Sequence, residues 1–271
     1  MSQCDPYADE LKSVIQPVSV FELAQPKTRD ADILLNRFGG RPFLEKGTPW
    51  PVCSTCQRAL DFICQLDASG VFVTEREQTV WFSLFYCWSC FPWDTSEGDG
   101  WRLIIHQTPR VDTVEWLDNP HQQERLTKPV LGVMQPALCA PDWTGLEHYC
   151  PQYFATLQTR YQLEELEGMD WLNALTEATD EYVSLINKIS GQNSFPLVAG
   201  SGQTMVGGYP QWLQADCDET PTCPDCTVRM SLLAQVASLR EASLMWADGG
   251  TAYLFFCPAH RHQVCLRIQC H

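Results

Sequence analysis

The chain has no apolar run near the roughly 18 residues that a membrane-crossing helix requires, so no membrane role is expected. Its opening residues, MSQCDPYADELKSV, lack the basic region and apolar core of a secretory signal. Cations are scarce: 18 Lys and Arg stand against 33 Asp and Glu, a formal charge of −15. A chain this acidic repels phosphate backbones, and no Lys/Arg cluster offsets the repulsion. General nucleic-acid binding is therefore not expected. If the charge reports a partner, that partner is a basic protein. Catalytic signatures are missing as well. There is no G-x-x-x-x-G-K-[ST], no G-x-G-x-x-G opening a helix and no G-x-S-x-G elbow. None of His106, His121, His148, His260, His262 and His271 has H-E-x-x-H or H-x-E spacing. No catalytic residue is assigned.

What is present is cysteine, 14 of them. Without an export signal, that number points to thiols and metal in a reducing compartment, the cytoplasm. Seven of these cysteines and one histidine form a pattern written twice. The first set is Cys53, Cys56, Cys87 and Cys90; the second is Cys223, Cys226, Cys257 and His260. Every member of the second set lies 170 residues after its counterpart, as do Gln235 after Gln65 and Leu254 after Leu84. Such regularity predicts an internal duplication.

Each set suits a tetrahedral Zn(II). Two thiolates separated by two residues ligate one ion from a tight turn, and a second CxxC or CxxH completes the shell. Ser54-Thr55 and Pro224-Asp225 are the turn-favouring residues inside the first pairs. Four protein ligands leave no position for water or substrate, so two structural ions are predicted. Reduced core thiols or disulfides are the alternative. A histidine at the fourth place of the second set argues against disulfides. His262 competes with His260 for that place, but only His260 keeps the offset. Cys64 and Cys265 lie in apolar strand-like runs and read as small core residues. Cys4, Cys139, Cys150, Cys217 and Cys270 have no assigned role.

The expected fold is α+β: two pseudo-symmetric antiparallel β units with zinc-stapled turns, joined by a helical connector. Residues 1–150 hold a polar leader and the first β repeat (core 33–110), 151–192 the connector and 193–271 the second repeat, together one compact unit. Within the leader, 14–24 reads as a short amphipathic stretch interrupted by Pro17. Leu60, Phe62, Cys64 and Leu66 alternate at period two, a strand signal. Segments 81–87, 101–107, 230–236, 252–257 and 263–270 are also strand-like. Residues 109–150 read as irregular, with one strand at 130–133. From 152 to 190, Tyr153, Leu157, Tyr161, Leu172, Leu175, Ala178, Tyr182, Leu185, Ile186 and Ile189 recur near the helical period, with a break at Gly168. The helical stretch carries Glu164, Glu165, Glu167, Asp170, Glu177, Asp180 and Glu181, a solvated face or a partner surface.

Two further pairs are candidate binding residues. Gly39-Gly40-Arg41-Pro42 and Gly207-Gly208-Tyr209-Pro210 repeat a GG-x-P element, whose glycines permit positive φ and whose proline enforces an extended entry. They form either a ligand groove or a tight turn lidding each sheet. Gln65 and Gln235 alternate away from the apolar side of their strands, where an amide could brace the structure or hold an extended peptide.

At FGGRPFLEKGTPWPVC…FICQLD…LFYC and GGYPQWLQ…CPDC…LLAQV…TAYLFFCPAH the chain resembles the YwqG-like family of bacterial proteins of unassigned function. It is more distantly similar to the eukaryotic programmed cell death protein 2 group. The resemblance implies an α+β fold of two β units. For the eukaryotic group it also implies a chaperone of a ribosomal protein, and for bacterial members toxin immunity or RNA processing. Residues and resemblance together give the expected function: a non-enzymatic, zinc-containing protein-binding module, chaperone-like or sequestering toward a basic client. An RNA-processing enzyme or factor is the alternative, and a toxin-immunity protein a further one.

Overall fold

A computed structural model describes residues 7–24, 36–71, 80–93, 97, 99–107, 114–120, 127–191, 193–198, 200–214 and 218–271. Cys4, Cys217 and His121 lie outside the described residues. Ten strands form one antiparallel sheet. Its two central members are β1 (Gln16–Leu23) and β8 (Val130–Cys139), which pair over eight residues. Outward from β8 run β2 (Arg37–Phe38), β4 (Asp61–Asp67), β5 (Val80–Tyr86) and β6 (Trp101–Gln107). Outward from β1 run β9 (Met205–Val206), β10 (Ser231–Ala237), β11 (Thr251–Phe256) and β12 (Val264–Gln269). The order is the same read from either edge: a three-strand meander, a two-residue strand, then the central pair. β3 (Phe43–Glu45) and β7 (Val114–Trp116) make a separate two-stranded ladder.

The two meanders correspond in detail. β4 and β10 each carry a register shift, between Phe62 and Cys64 and between Leu232 and Ala234. Their strands are buried on both faces, which is why 80–86 and 251–256 read as continuous apolar runs instead of alternating ones. Side chains of β6 (Trp101, Leu103) and β12 (Leu266, Ile268), the two edges of the sheet, lie in one core with Tyr86 and Trp246. The sheet is therefore curled into a nearly closed, barrel-like shape.

Two sequence expectations need correction. The stretch read as part of a polar leader is β1, at the centre of the sheet, and the strand read at 130–133 continues to Cys139. Local signals hide both strands. Pro17, Gly132 and Pro136 break the β pattern, while the β1–β8 ladder joins segments more than a hundred residues apart. Gly132 is itself required by that ladder. A Cβ there would fall 2.1 Å from the Phe21 ring.

Four helices are described. α1 (Ala8–Val14), α2 (Trp143–Tyr149), α3 (Pro151–Tyr161) and α4 (Gly168–Ser190) share a core of Leu11, Leu146, Tyr153, Leu157, Tyr182 and Ile186. That core rests against Ala140, Ile15 and Leu197 at one end of the central strand pair. α2 lies in the region expected to be irregular; Asp142 caps it, accepting the Gly145 N–H at 2.9 Å. The break expected at Gly168 is a six-residue link, 162–167. It starts at Gln162 in the left-handed region (φ 53°) and ends where Gly168 (φ 60°) opens α4. α4 stops at Gly191, whose N–H donates to Asn187 O at 2.8 Å.

Candidate metal centres

Each CxxC sits at the tip of a short β-like loop that hydrogen bonds to itself. In the first half Cys53 N–H donates to Arg58 O (2.8 Å), Gln57 N–H to Cys53 O (2.9 Å) and Leu60 N–H to Pro51 O (2.9 Å). In the second, Cys223 N–H donates to Val228 O, Thr227 N–H to Cys223 O and Met230 N–H to Pro221 O, all at 2.8 Å. Gln57 and Thr227 are both left-handed, at φ 60° and 58°. The turn thus presents both sulfurs to one side. The other ligands leave the ends of β5 and β11, where Cys90 N–H and His260 N–H each donate to the preceding sulfur at 3.4 Å. Such N–H···S bonds favour thiolate.

The side chains converge. Sγ atoms of Cys53 and Cys90 are 3.8 Å apart, and those of Cys56 and Cys87 3.6 Å. In the second set, His260 Nδ1 lies 3.7 Å from Cys223 Sγ and 3.8 Å from Cys257 Sγ, and Cys226 and Cys257 Sγ are separated by 3.7 Å. A tetrahedral ion with Zn–S bonds of about 2.3 Å sets its sulfurs roughly 3.8 Å apart. All four ligand atoms of each set fall within 4.8 Å of one another. Both groups can therefore hold a metal ion, and the donor chemistry fits zinc. His262 instead points its Nε2 at Asp225 Oδ2, 3.3 Å away, and is exposed. His260 is the residue that completes the group. Around Cys53, burial opposes ionisation, but hydrogen bonds from the Cys56 and Thr55 amides and from the Cys56 and Cys90 thiols together outweigh it, bringing the thiol down to about 7. Its neighbour Cys90 is pushed up to about 12, by the Cys56 hydrogen bond and then by burial. A divalent cation would allow all four to ionise together. Of the remaining cysteines, Cys64, Cys139 and Cys150 are buried and Cys265 and Cys270 partly so.

The matched glutamines do equivalent work. Gln65 Oε1 accepts from Phe43 N–H at 2.9 Å, and Gln235 Oε1 from Gln211 N–H at 3.0 Å. Each acceptor thus holds the residue immediately after its own GG-x-P. Gln235 also donates to Gln203 O (2.8 Å). Both side chains are fully buried. All four glycines of the two elements have positive φ. At Gly208 the requirement is also steric, because a Cβ would lie 2.6 Å from Val18 Cγ1. Beyond each element an aromatic ring seats on the sheet: Trp50 on Phe85 at 5.4 Å and Trp212 on Phe255 at 5.9 Å. A groove of about 420 Å³ opens beside Gly207, Gly208 and Tyr209, lined also by Gln16, Tyr149 and Arg261. In the first half Pro129 packs against Gly40.

Sequence reading missed the polar ties that hold the knuckles from outside. Ser54 Oγ donates to Asp99 at 3.0 Å, and Arg229 pairs with Asp218 while lying over the Tyr149 ring. No spacing rule links such residues, because the contacts exist only after the strands pair.

Fold and sites together define a class: an α+β protein whose barrel-like antiparallel sheet carries two four-residue Cys/His knuckles, each able to hold a metal ion. The family model described as "Domain of unknown function (DUF1963)" matches residues 36–261, which include both knuckles. The chain belongs to that family. No curated protein matches the sequence.

Proposed function

We propose that this protein is a non-enzymatic binding module, chaperone-like or sequestering toward a basic client protein in the cytoplasm, and that each tetrad holds one structural zinc. One observation carries the reading. The chemically distinctive side chains are consumed in two closed tetrads, and among the described residues no third group of three or more His, Cys, Asp or Glu side chains gathers. Zinc in such sites contributes folding energy and fixes turns, and leaves no coordination position for a reaction. The charge of −15 would steer a cationic partner and screen it from nucleic acid.

We further infer that the two halves descend from one duplicated unit. The constant spacing of 170 and the matched register shifts of β4 and β10 support this. The likeness to YwqG-like proteins, and more remotely to the programmed cell death protein 2 group, belongs to the same proposal. Chaperoning and toxin immunity both need only a shaped binding face, and the partner recovered is what tells them apart. The test is affinity capture from native lysate with mass spectrometry, with zinc and RNA hydrolysis measured on the same preparation. A basic protein at matched stoichiometry and zinc in both tetrads are expected. Turnover of RNA by the zinc-replete protein would replace this reading with the RNA-processing one.

A further inference from the structure

We propose that the N-terminal half of α4 is a docking surface for a basic amphipathic helix of a partner protein. This rests on the protein-binding reading above and gives it a place. α4 bears one apolar stripe, Trp171, Leu175, Ala178, Tyr182, Ile186 and Ile189, at steps of three and four. The last four of these are buried, Tyr182, Ile186 and Ile189 of them in the core shared with the other helices. Leu175 is only partly covered, and Trp171 is 40% exposed. The helix therefore outruns the body that covers it. Met169 and Leu172 beside the stripe are 70% and 49% exposed, so three large apolar side chains meet solvent within four residues. Burial of such a group is favourable and is left undone in the isolated chain.

The charge around the patch selects its occupant. From residue 161 to 187 there are seven carboxylates and no Lys or Arg. Glu164, Glu165, Glu167, Asp170, Glu177 and Asp180 are exposed, and among the described residues none of the six has an ion pair. The seventh, Glu181, is taken by Arg160 and Tyr161. Four of these acids flank the helix N-terminus and cancel its positive end, so the site does not suit an anion. A second copy would bring like charge to like charge. Anionic lipid is repelled in the same way. A convex helical surface with an apolar seam and acidic borders fits another helix with apolar residues at i, i+4 and i+7 and Lys or Arg on either side.

The probe is a fluorescein-labelled peptide of about 18 residues, Leu and Lys in helical period, with a composition-matched scramble as control. Anisotropy is read on the full-length, zinc-replete protein at low and at roughly 0.3 M salt. One variant combines Met169→Ser, Trp171→Ser and Leu172→Ser; the other combines Asp170→Asn, Glu177→Gln and Asp180→Asn. All six side chains are exposed, and unchanged circular dichroism and zinc content verify the fold. Tighter binding of the patterned peptide than the scramble is expected, with each variant weakening it roughly tenfold or more. The second variant should also flatten the salt dependence. Patterned peptide bound equally by wild type and both variants would overturn the location and leave the protein-binding reading standing. Equal binding of patterned and scrambled peptides would overturn the helical mode. Failure to bind either peptide, together with no basic protein recovered from lysate, would overturn both. Adsorption to phosphatidylcholine vesicles lost in the apolar variant, without peptide binding, would overturn the proposal in favour of lipid.

Discussion

His106 and Gln269 occupy corresponding places at the ends of β6 and β12, opposite Trp81 and Thr251, which are themselves 170 apart. Gln269 Oε1 accepts the N–H groups of Leu213 (3.0 Å) and Gln214 (2.9 Å). His106 stacks on Trp81 with ring centroids 4.8 Å apart, its Nδ1 4.0 Å from Glu45 Oε1. The two residues brace similar positions, but only one titrates. Burial lowers His106 from 6.5 to about 4. The unfolded chain therefore binds a proton between these values that the folded chain refuses. The stability conferred by the neutral ring is complete above about pH 6.5 and is lost as pH falls toward 4, by at most about 3 kcal/mol. His106→Gln, which copies the second half, should shrink the loss of urea resistance between about pH 7 and pH 4.5 relative to wild type. An identical pH profile would show that the histidine does not sense the fold. At this scale the eight side chains that converge were legible, since spacing alone marks them. The glutamines were legible as a matched pair, but not the amides whose N–H groups they accept.

At the scale of elements, each knuckle is a closed local loop whose bonds mirror those of the other. Their independence gives a clear expectation. Cys53→Ser with Cys56→Ser should reduce bound zinc from about two ions to one, and so should Cys223→Ser with Cys226→Ser; the four changes together should leave none. Plasma emission analysis of dialysed protein measures this, and retention of both ions in either double variant would count against that tetrad. The knuckles, the meander strands and α4 follow from nearest neighbours in sequence: turn residues, continuous apolar runs, a stripe at helical period. β1 and β8 do not, because Pro17, Gly132 and Pro136 obscure them locally. β2 and β9, two residues each, are too short to carry any period.

The whole molecule is held by a core that neither half owns. Trp246 of the second half packs edge-on to Tyr86 (5.0 Å) and beside Trp88 (5.3 Å) of the first, with no exposed surface. Trp246→Ala should cost about 3–5 kcal/mol and lower one shared transition. Urea unfolding followed by circular dichroism and by tryptophan fluorescence should give coincident curves. Separate transitions, with only one displaced, would show the halves to be independent. The sequence by itself determined the two Cys/His sets, the meander strands and the helical period of 152–190, because each depends on residues close along the chain or on a spacing repeated between its two halves. Only the tertiary structure decided that β1 and β8 unite the halves into one curled sheet, that Gln65 and Gln235 hold the GG-x-P segments, and that α4 overhangs its support. Those facts arise from contacts between distant segments, whose partners come into reach only when the chain has folded.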